Sequence, residues 1–496
     1  MSPAPSVQAE IDDFLSGGPI AGFAGGEELP SSNGETFATL DPGTGEKLAD
    51  VHALQPADVD RAVELAGSAF ENAEWARLPV NERAVYLHRL ADEVERRKPL
   101  LAQLESLDCG KILSQAADDV QNFVDTMRFF ADLAQNLQLR SVIAVKEHEA
   151  AYVRHPWGVC ASIVPWNFPF LLCGWGIAPA LAAGNTVVVK PAEDTPLTTL
   201  YLARLVKQLG FPDGVVNVVP GLGEVAGAAL STNPLVSRMS CTGSPEVGRL
   251  VAEACGRNLV PVKLELGGKG AAVVFDDVDL PETAQKLVDA ITFHTGQVCC
   301  DATRWLIQKP IYDEFVHEVC ERMKKVAIGY PSDETVQMGP VVSETQKSRV
   351  LGYLEKGVSE GAEVVLEGGA AEVEGRPGGY YVKPALLAGS LDNVAAREEI
   401  FGPVAYLAPF EDESDGLTKA NDTAYGLANS VWSSDLGRCR RVAESFEAGN
   451  GWINSHNVVV HGVPYGGVKQ SGLGGGVGSI ETLLDYYRGI SVIRPL

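Results

Sequence analysis

Between Gly158 and Leu266 the sequence alternates between two periodicities, a pattern that few folds accept. Short apolar runs stand at Gly158–Val164, Thr186–Val189, Val215–Val219, Val236–Cys241 and Val262–Leu266. Between them apolar residues recur at helical spacing. Phe168, Leu171, Leu172 and Trp175 share one face; Leu202, Leu205, Val206 and Leu209 share another that ends at Gly210; Glu224–Leu230 and Pro245–Cys255 follow. Strand–helix alternation sustained over about 100 residues predicts parallel βαβ units and an α/β, doubly wound sheet. No charged residue occurs from Trp157 to Val189, but Pro165, Pro169 and Pro179 interrupt the stretch and Asn167 and Asn185 lie within it. A bilayer span needs roughly 20 unbroken apolar residues, so buried strand, turn and core helix is the reading.

The flanks differ. The first ~50 residues are rich in Gly, Pro and Ser and read as turns with short strands. Asp58 to Arg140 is mostly helical by its Ala/Leu/Glu/Arg composition and apolar spacing. A second α/β block runs from Lys269 to about Gly478, and the tail ends in an alternating stretch, Ile490–Ile493. At 496 residues the chain has room for two or three domains.

Charge narrows the partners. Forty Lys and Arg against 65 Asp and Glu give a formal charge of −25. Such a surface repels phosphate backbones and anionic lipid heads, so neither nucleic acid nor membrane is expected. Met1 to Ile20 contains Glu10, Asp12 and Asp13 and no apolar core, unlike a secretory signal. The nine cysteines are scattered without C-x-x-C spacing. That usage predicts reduced thiols, a cytoplasmic location and no bound metal.

Three polar residues fall at ends of elements. Asn167 follows strand Gly158–Val164 just before Pro169 opens a helix. Glu265 sits in V-K-L-E-L-G-G-K. Cys299 sits in F-H-T-G-Q-V-C-C, placed at the C-terminal end of a helix Glu282–Phe293. Ligands of open parallel sheets bind at the carboxyl ends of the strands. A thiol, an amide and a carboxylate meeting there could attack a carbonyl, stabilise an oxyanion and activate water. Taken singly, each has an ordinary alternative: a core cysteine, an ion-paired glutamate, an asparagine in a turn.

Motifs in series go further. P-W-N-F-P (Pro165–Pro169), K-P-A-E (Lys190–Glu193), G-S-P-E-V-G (Gly243–Gly248), L-E-L-G-G-K (Leu264–Lys269), G-Q-V-C (Gly296–Cys299), E-E-I-F-G-P-V (Glu398–Val404) and P-Y-G-G-V-K-Q-S-G (Pro464–Gly472) occur in that order. From about Thr36 to Arg494 the chain resembles the aldehyde dehydrogenase superfamily. The resemblance implies Cys299 as nucleophile, Glu265 as general base and Asn167 as oxyanion donor. It implies a cofactor site of Pro165, Trp166, Lys190, Glu193, Gly243, Ser244, Gly248, Leu266, Gly267, Glu399 and Phe401. NAD is the expected cofactor, because Glu193 would accept ribose hydroxyls and repel a 2′-phosphate; Lys190 works the other way and permits some NADP use.

Two other motifs are decoys. Tyr465 and Lys469 form Y-x-x-x-K, but Gly466-Gly467 after Pro464 argues against the helix that pair requires. Gly357–Gly361 matches G-x-S-x-G, but a helix precedes it and a strand follows, the reverse of a nucleophile elbow. Gly221-Leu222-Gly223 is a lone G-x-G, a weak phosphate-loop signal. The chain also departs from the family's commonest pattern at Gly176, His294, Gly270-Ala271, Asp301 and Gly475-Gly476.

By the same resemblance, residues 1–134 and 155–265 would form an NAD-binding domain and 266–479 a catalytic domain. Residues 135–154 and 480–496 would form a small oligomerisation element, with an exposed edge strand that seeks a partner chain in a homodimer or homotetramer. The substrate is expected to be a small-molecule aldehyde. Phe168, Trp175, Phe293 and Tyr465 resemble the aromatic boxes of betaine-aldehyde and aminoaldehyde dehydrogenases, which points to a small cationic aldehyde. Plain aliphatic and aromatic aldehydes are the competing class. A CoA-acylating relative, the more distant alternative, would lack a base at position 265.

Overall fold

The computed structural model describes residues 5–72 and 74–496. The alternating segment forms the centre of an eight-stranded sheet. Its order is Glu27–Leu29, Gly22–Ala24, Val216–Val218, Thr186–Lys190, Val159–Ile163, Val236–Thr242, Val262–Glu265, Gly472–Leu473. The five inner strands are parallel; the outer ones pair antiparallel. The chain runs outward from Val159–Ile163 in one direction, returns, and continues in the other, so a topological switch point lies between that strand and Val236–Thr242. The uncharged stretch is strand Val159–Ile163, helix Pro169–Ala183 and strand Thr186–Lys190, nearly all buried. Among the described residues no helix is long and apolar enough to cross a membrane.

A second sheet has seven strands in the order Glu363–Leu366, Ala385–Ala388, Val404–Phe410, Ala302–Gln308, Gly270–Val274, Ala428–Trp432, Asn450–Ile453. A third, three-stranded sheet pairs Tyr487–Pro495 with His148–Pro156, and that strand with Arg140–Val145, in unbroken antiparallel register. Tyr487–Pro495 and Arg140–Val145 are its two edges, with Ile490, Val492 and Ile493 exposed on the first and Val142 and Ile143 on the second.

Several expectations need correction. The N-terminal turns contain a helix, Pro5–Ser16, because Val7, Ile11 and Phe14 recur at i, i+4 and i+7 and pack on the core, Phe14 edge-on to Tyr201 at 5.2 Å. The first sheet borrows strand Gly472–Leu473 from far beyond residue 266. The stretch Glu224–Leu230 is a π-type turn, Gly223–Gly227, running into helix Ala228–Thr232. Lys190 ends its strand rather than following it. Cys299 does not cap a helix. Helix Leu280–Thr292 stops early and a turn, Phe293–Gly296, intervenes, with His294 and Thr295 left-handed at φ 45° and 57°. Helix Glu344–Ser359 runs through Gly357 and Ser359 and stops before Gly361 at φ 94°. No nucleophile elbow exists there.

Candidate active site

Strand Val159–Ile163 exits at the switch point into Val164–Phe168, and Pro169 opens the next helix. Asn167 is buried in this turn. Its Nδ2 donates to the Gln297 carbonyl at 2.9 Å, tying the strand end to the cysteine loop. Gln297 is held in turn: Nε2 donates to the His294 carbonyl at 3.1 Å and Oε1 accepts from the Val342 amide at 3.0 Å. Gly296 at φ 69° packs so tightly that a Cβ would lie 2.3 Å from the Gly402 carbonyl carbon. Left-handed non-glycine residues cost about 1–3 kcal/mol each, so His294 and Thr295 persist because this packing over-determines the loop.

Cys299 sits at the end of it, its Sγ 3.6 Å from the Tyr465 hydroxyl. The Cys300 thiol beside it, together with Tyr465, holds Cys299 below the ordinary thiol range although burial works the other way. Cys300 is pushed well above that range, first by its neighbour and then by burial. Burial also pushes Cys160, Cys173 and Cys241 up to about 12. All nine cysteines are free thiols, and of the vicinal pair Cys299 is the one poised to ionise.

Glu265 ends strand Val262–Glu265, opposite Thr242 in register. It is buried, and among the described residues neither carboxylate oxygen has a hydrogen-bond partner. Burial pushes it well above the carboxylate range, opposed by the charge of Lys263. Glu265 and Cys299 line one cavity of about 270 Å³, together with Phe168, Trp175, Phe293 and Tyr465. Phe168 and Phe293 stack with centroids 6.3 Å apart, and Trp175 meets Tyr465 edge-on at 5.6 Å. Two larger clefts, about 500 and 440 Å³, touch Phe293 but hold neither Cys299 nor Glu265.

Other lining residues were not anticipated. Asp118, Asp119 and Asn122 come from helix Leu113–Gln135, and Val459 and Asn457 from a loop with left-handed Asn454 and Asn457. Asn122 accepts from Trp175 Nε1 at 3.1 Å. Lys111, fully buried and paired with Asp119, places its ammonium 3.6 Å from the Phe168 centroid. The i, i+4 polar pair Asp118/Asn122 in an otherwise apolar-faced helix was the available signal. Asp301, one of the departures from the family's pattern, is buried and does not line the cavity.

The cofactor candidates gather at the same strand ends. Lys190 pairs with Glu193 at 2.7 Å, and Glu193 also accepts from the Gly223 amide at 3.2 Å. Burial would raise Glu193, but Lys190 outweighs it and keeps the carboxyl below its usual range. The weak G-x-G thus ends beside Glu193. Gly243 follows the next strand, its amide bonded to the Glu265 carbonyl at 3.1 Å, and Ser244 caps helix Pro245–Arg257. A Cβ on Gly248 would strike Leu266 at 2.6 Å, and one on Gly267 would strike the Glu399 carboxylate at 2.1 Å. Glu399 accepts from the Gly268 amide at 2.8 Å, and burial raises it to about 7. Pro165 leads into Trp166, which meets Phe401 edge-on at 5.2 Å, Phe401 itself being left-handed at φ 63°. Two carboxylates able to accept hydroxyls, a helix N-terminus that favours phosphate and an aromatic edge suit a dinucleotide.

The family model described as "Aldehyde dehydrogenase family" matches residues 29–492. Retinaldehyde dehydrogenase 3 of Mus musculus is 42% identical over 449 residues, 90% of this chain and 87% of the relative. The crystal structure of betaine aldehyde dehydrogenase from Staphylococcus aureus in complex with NAD+ superposes with TM-score 0.95 at 32% identity, covering 99% of this chain and 97% of that one. A mutant of the aldehyde dehydrogenase from Bacillus cereus superposes with TM-score 0.95 at 36% identity over 100% of this chain and 99% of that one. Agreement over nearly the full length, in sequence as well as in backbone, leaves one conclusion: this chain belongs to the aldehyde dehydrogenase family.

Proposed function

We propose that Cys299, Glu265 and Asn167 carry an NAD-dependent oxidation of an aldehyde to a carboxylic acid. The observation behind this reading is the single cavity that contains both the thiol most ready to ionise and a buried carboxylate with no partner among the described residues. The Cys299 thiolate adds to the aldehyde carbon. Asn167 does not itself line that cavity, but it adjoins Phe168, which does; Nδ2 carries two hydrogens, and with one held by the Gln297 carbonyl the other would serve the developing oxyanion. NAD, held by Lys190, Glu193, Ser244 and Glu399, would supply the hydride acceptor. Glu265 then takes a proton from water as the water oxygen attacks the resulting thioester, and the acid and the thiolate part.

Lys190, Glu193, Ser244 and Glu399 would hold the cofactor, with the first sheet as its domain and the second as the catalytic domain. The three-stranded sheet would join subunits, since its exposed valines and isoleucines have no cover within the chain. Nine free thiols suit a reducing, cytoplasmic setting.

For the substrate we favour an apolar aldehyde. Leu171, Leu172, Val298 and Val459 line the cavity beside the aromatics. Phe168 already has the Lys111 ammonium against its ring, so that ring face is already taken by a cation. A cationic aldehyde is the second reading, favoured by the exposed Asp118 on the cavity wall.

The test is transient kinetics. Cys299→Ala should abolish the NADH burst, while Cys300→Ala should keep it. Glu265→Gln should keep the burst and lose about 10²–10⁴ in steady turnover, leaving a trapped thioester detectable by mass spectrometry. A dead Cys300→Ala with an active Cys299→Ala would overturn the assignment.

A further inference from the structure

Lys263 stands two residues before Glu265 on the same strand and hence the same face, about 6.6 Å away along the strand. Both side chains are buried. Lys263 Nζ donates to the Gly476 carbonyl at 3.3 Å, an oxygen that also accepts from Thr482 Oγ1 at 2.9 Å. Gly476 packs against the Tyr465 backbone so closely that a Cβ would lie 2.6 Å from the Tyr465 carbonyl oxygen. Lys263 therefore grips the loop that walls the cavity.

The charges around it can be accounted for. On the neighbouring strand, Ser240 lies opposite Lys263, and Arg238 on that face pairs with Asp485 at 3.2 Å. The Tyr486 ring lies 5.0 Å from the Arg238 guanidinium and 5.7 Å from Lys263 Nζ. From the cavity side, Cys299 and Tyr465 face Glu265. Arg238 and Asp485 pair with each other, the buried Arg238 Nε having no partner among the described residues. That leaves Lys263 without a carboxylate in contact, and Glu265 with the Gly467 backbone amide facing it but no side-chain hydrogen-bond donor among the described residues.

We infer that Lys263 is a positioning residue for the general base, its ammonium lowering the proton affinity of the buried Glu265 carboxyl across the gap between them. The inference rests on Glu265 being the base proposed above. An isolated buried carboxyl takes up a proton and cannot accept another from water. Burial draws Lys263 down to about 8 while Glu265 draws it up, so the ammonium persists at neutral pH and its field favours the carboxylate. During hydrolysis Glu265 takes the proton of the attacking water, the water oxygen bonds to the acyl carbon, and the C–S bond breaks to return the Cys299 thiolate. Glu265 must then release that proton to solvent, a step the neighbouring cation also favours.

The experiment measures thioester hydrolysis after the NADH burst, as a function of pH, in Lys263→Met and Lys263→Gln. Glutamine keeps a donor for the Gly476 carbonyl and removes only the charge, so it also guards against a folding defect in the methionine variant. Both should keep the burst. In both, the acid limb of hydrolysis should move up by about one to two pH units, the effect of a unit charge at ~7 Å with an effective dielectric near 20, and the rate at pH 7 should fall by at most about ten- to a hundredfold. A limb that stays at the wild-type pH in Lys263→Gln would overturn the inference and assign Lys263 to loop anchoring alone. Full hydrolysis in Glu265→Gln would overturn the assignment of the base itself, and is read independently of either Lys263 variant.

Discussion

On the cofactor side of the Cys299 loop, candidate residues leave the carboxyl ends of adjacent parallel strands: Asn167, Lys190, Gly243 and Leu266 lie at four of them, and Glu193 within a few residues. Contacts there are largely made to backbone, as in the amides of Gly223 and Gly268 on Glu193 and Glu399. On the substrate side the wall comes from helix Leu113–Gln135, helix Pro169–Ala183, the turn after Thr292 and the loop before Tyr465, and its contacts are side chain to side chain. The first side is set by sheet topology and tolerates little movement. The second is a surface assembled from distant segments, where one replaced side chain leaves the others in place. Substitutions should therefore act sharply on the cofactor side and gradually on the substrate side.

The strongest test of that contrast is Asn167, which stands at the seam. Asn167→Ala should lower kcat about 10²–10³-fold, the usual effect of deleting an oxyanion donor, with little change in KM for NAD. Steady-state kinetics with both substrates varied would show it. A loss below threefold would mean that the oxyanion is held from the loop side instead. A smaller effect is expected at Glu193. Glu193→Gln should weaken kcat/KM for NAD about tenfold, the value of a hydrogen bond to a charged acceptor. It should leave NADP unharmed or improved, because Lys190 remains. Equal kcat/KM for the two cofactors before and after the change would remove Glu193 from the recognition of the ribose.

The same contrast explains what could be read from the chain alone. Parallel strands end where their apolar runs end, so Asn167, Glu193, Ser244 and Glu265 could be placed by local pattern. The roles assigned to them came from the resemblance, since an amide and a carboxylate at strand ends have ordinary alternatives. The cavity wall was only half legible. Trp175 and Leu172 followed from helical spacing, but Asp118, Asn122 and Val459 reach the cavity through packing between segments more than 300 residues apart, from 118 to 459. Lys111 under Phe168 was equally invisible, because a buried lysine leaves no periodic trace. The helix Pro5–Ser16 was hidden by the glycines and prolines around it. The left-handed His294 and Thr295 that move Cys299 off the helix end are held by distant partners, the Gln115 side chain and the Gly339 carbonyl, while Gly296 after them packs against Gly402.

The smallest expected effect lies on the substrate side, and it decides between the two substrate classes. Betaine aldehyde and its neutral carbon isostere, 3,3-dimethylbutanal, have nearly the same shape and differ by one charge. A cation over aromatic faces gains roughly 0.5–2 kcal/mol, at most about thirtyfold in kcat/KM. Here that gain is reduced at Phe168, where Lys111 already lies against the ring, although Asp119 neutralises Lys111 and Asp118 adds a carboxylate on the cavity wall. Trp175 and Tyr465 remain, but they face each other edge-on and Trp175 is tethered by Asn122, which limits how far either ring can turn to a ligand. After correction for hydration of each aldehyde, kcat/KM for 3,3-dimethylbutanal should therefore equal or exceed that for betaine aldehyde. Trp175→Leu should change their ratio by less than about twofold, below the weakest cation–π gain. A tenfold preference for betaine aldehyde that Trp175→Leu erases would reverse the assignment and make the aromatic wall a cation box.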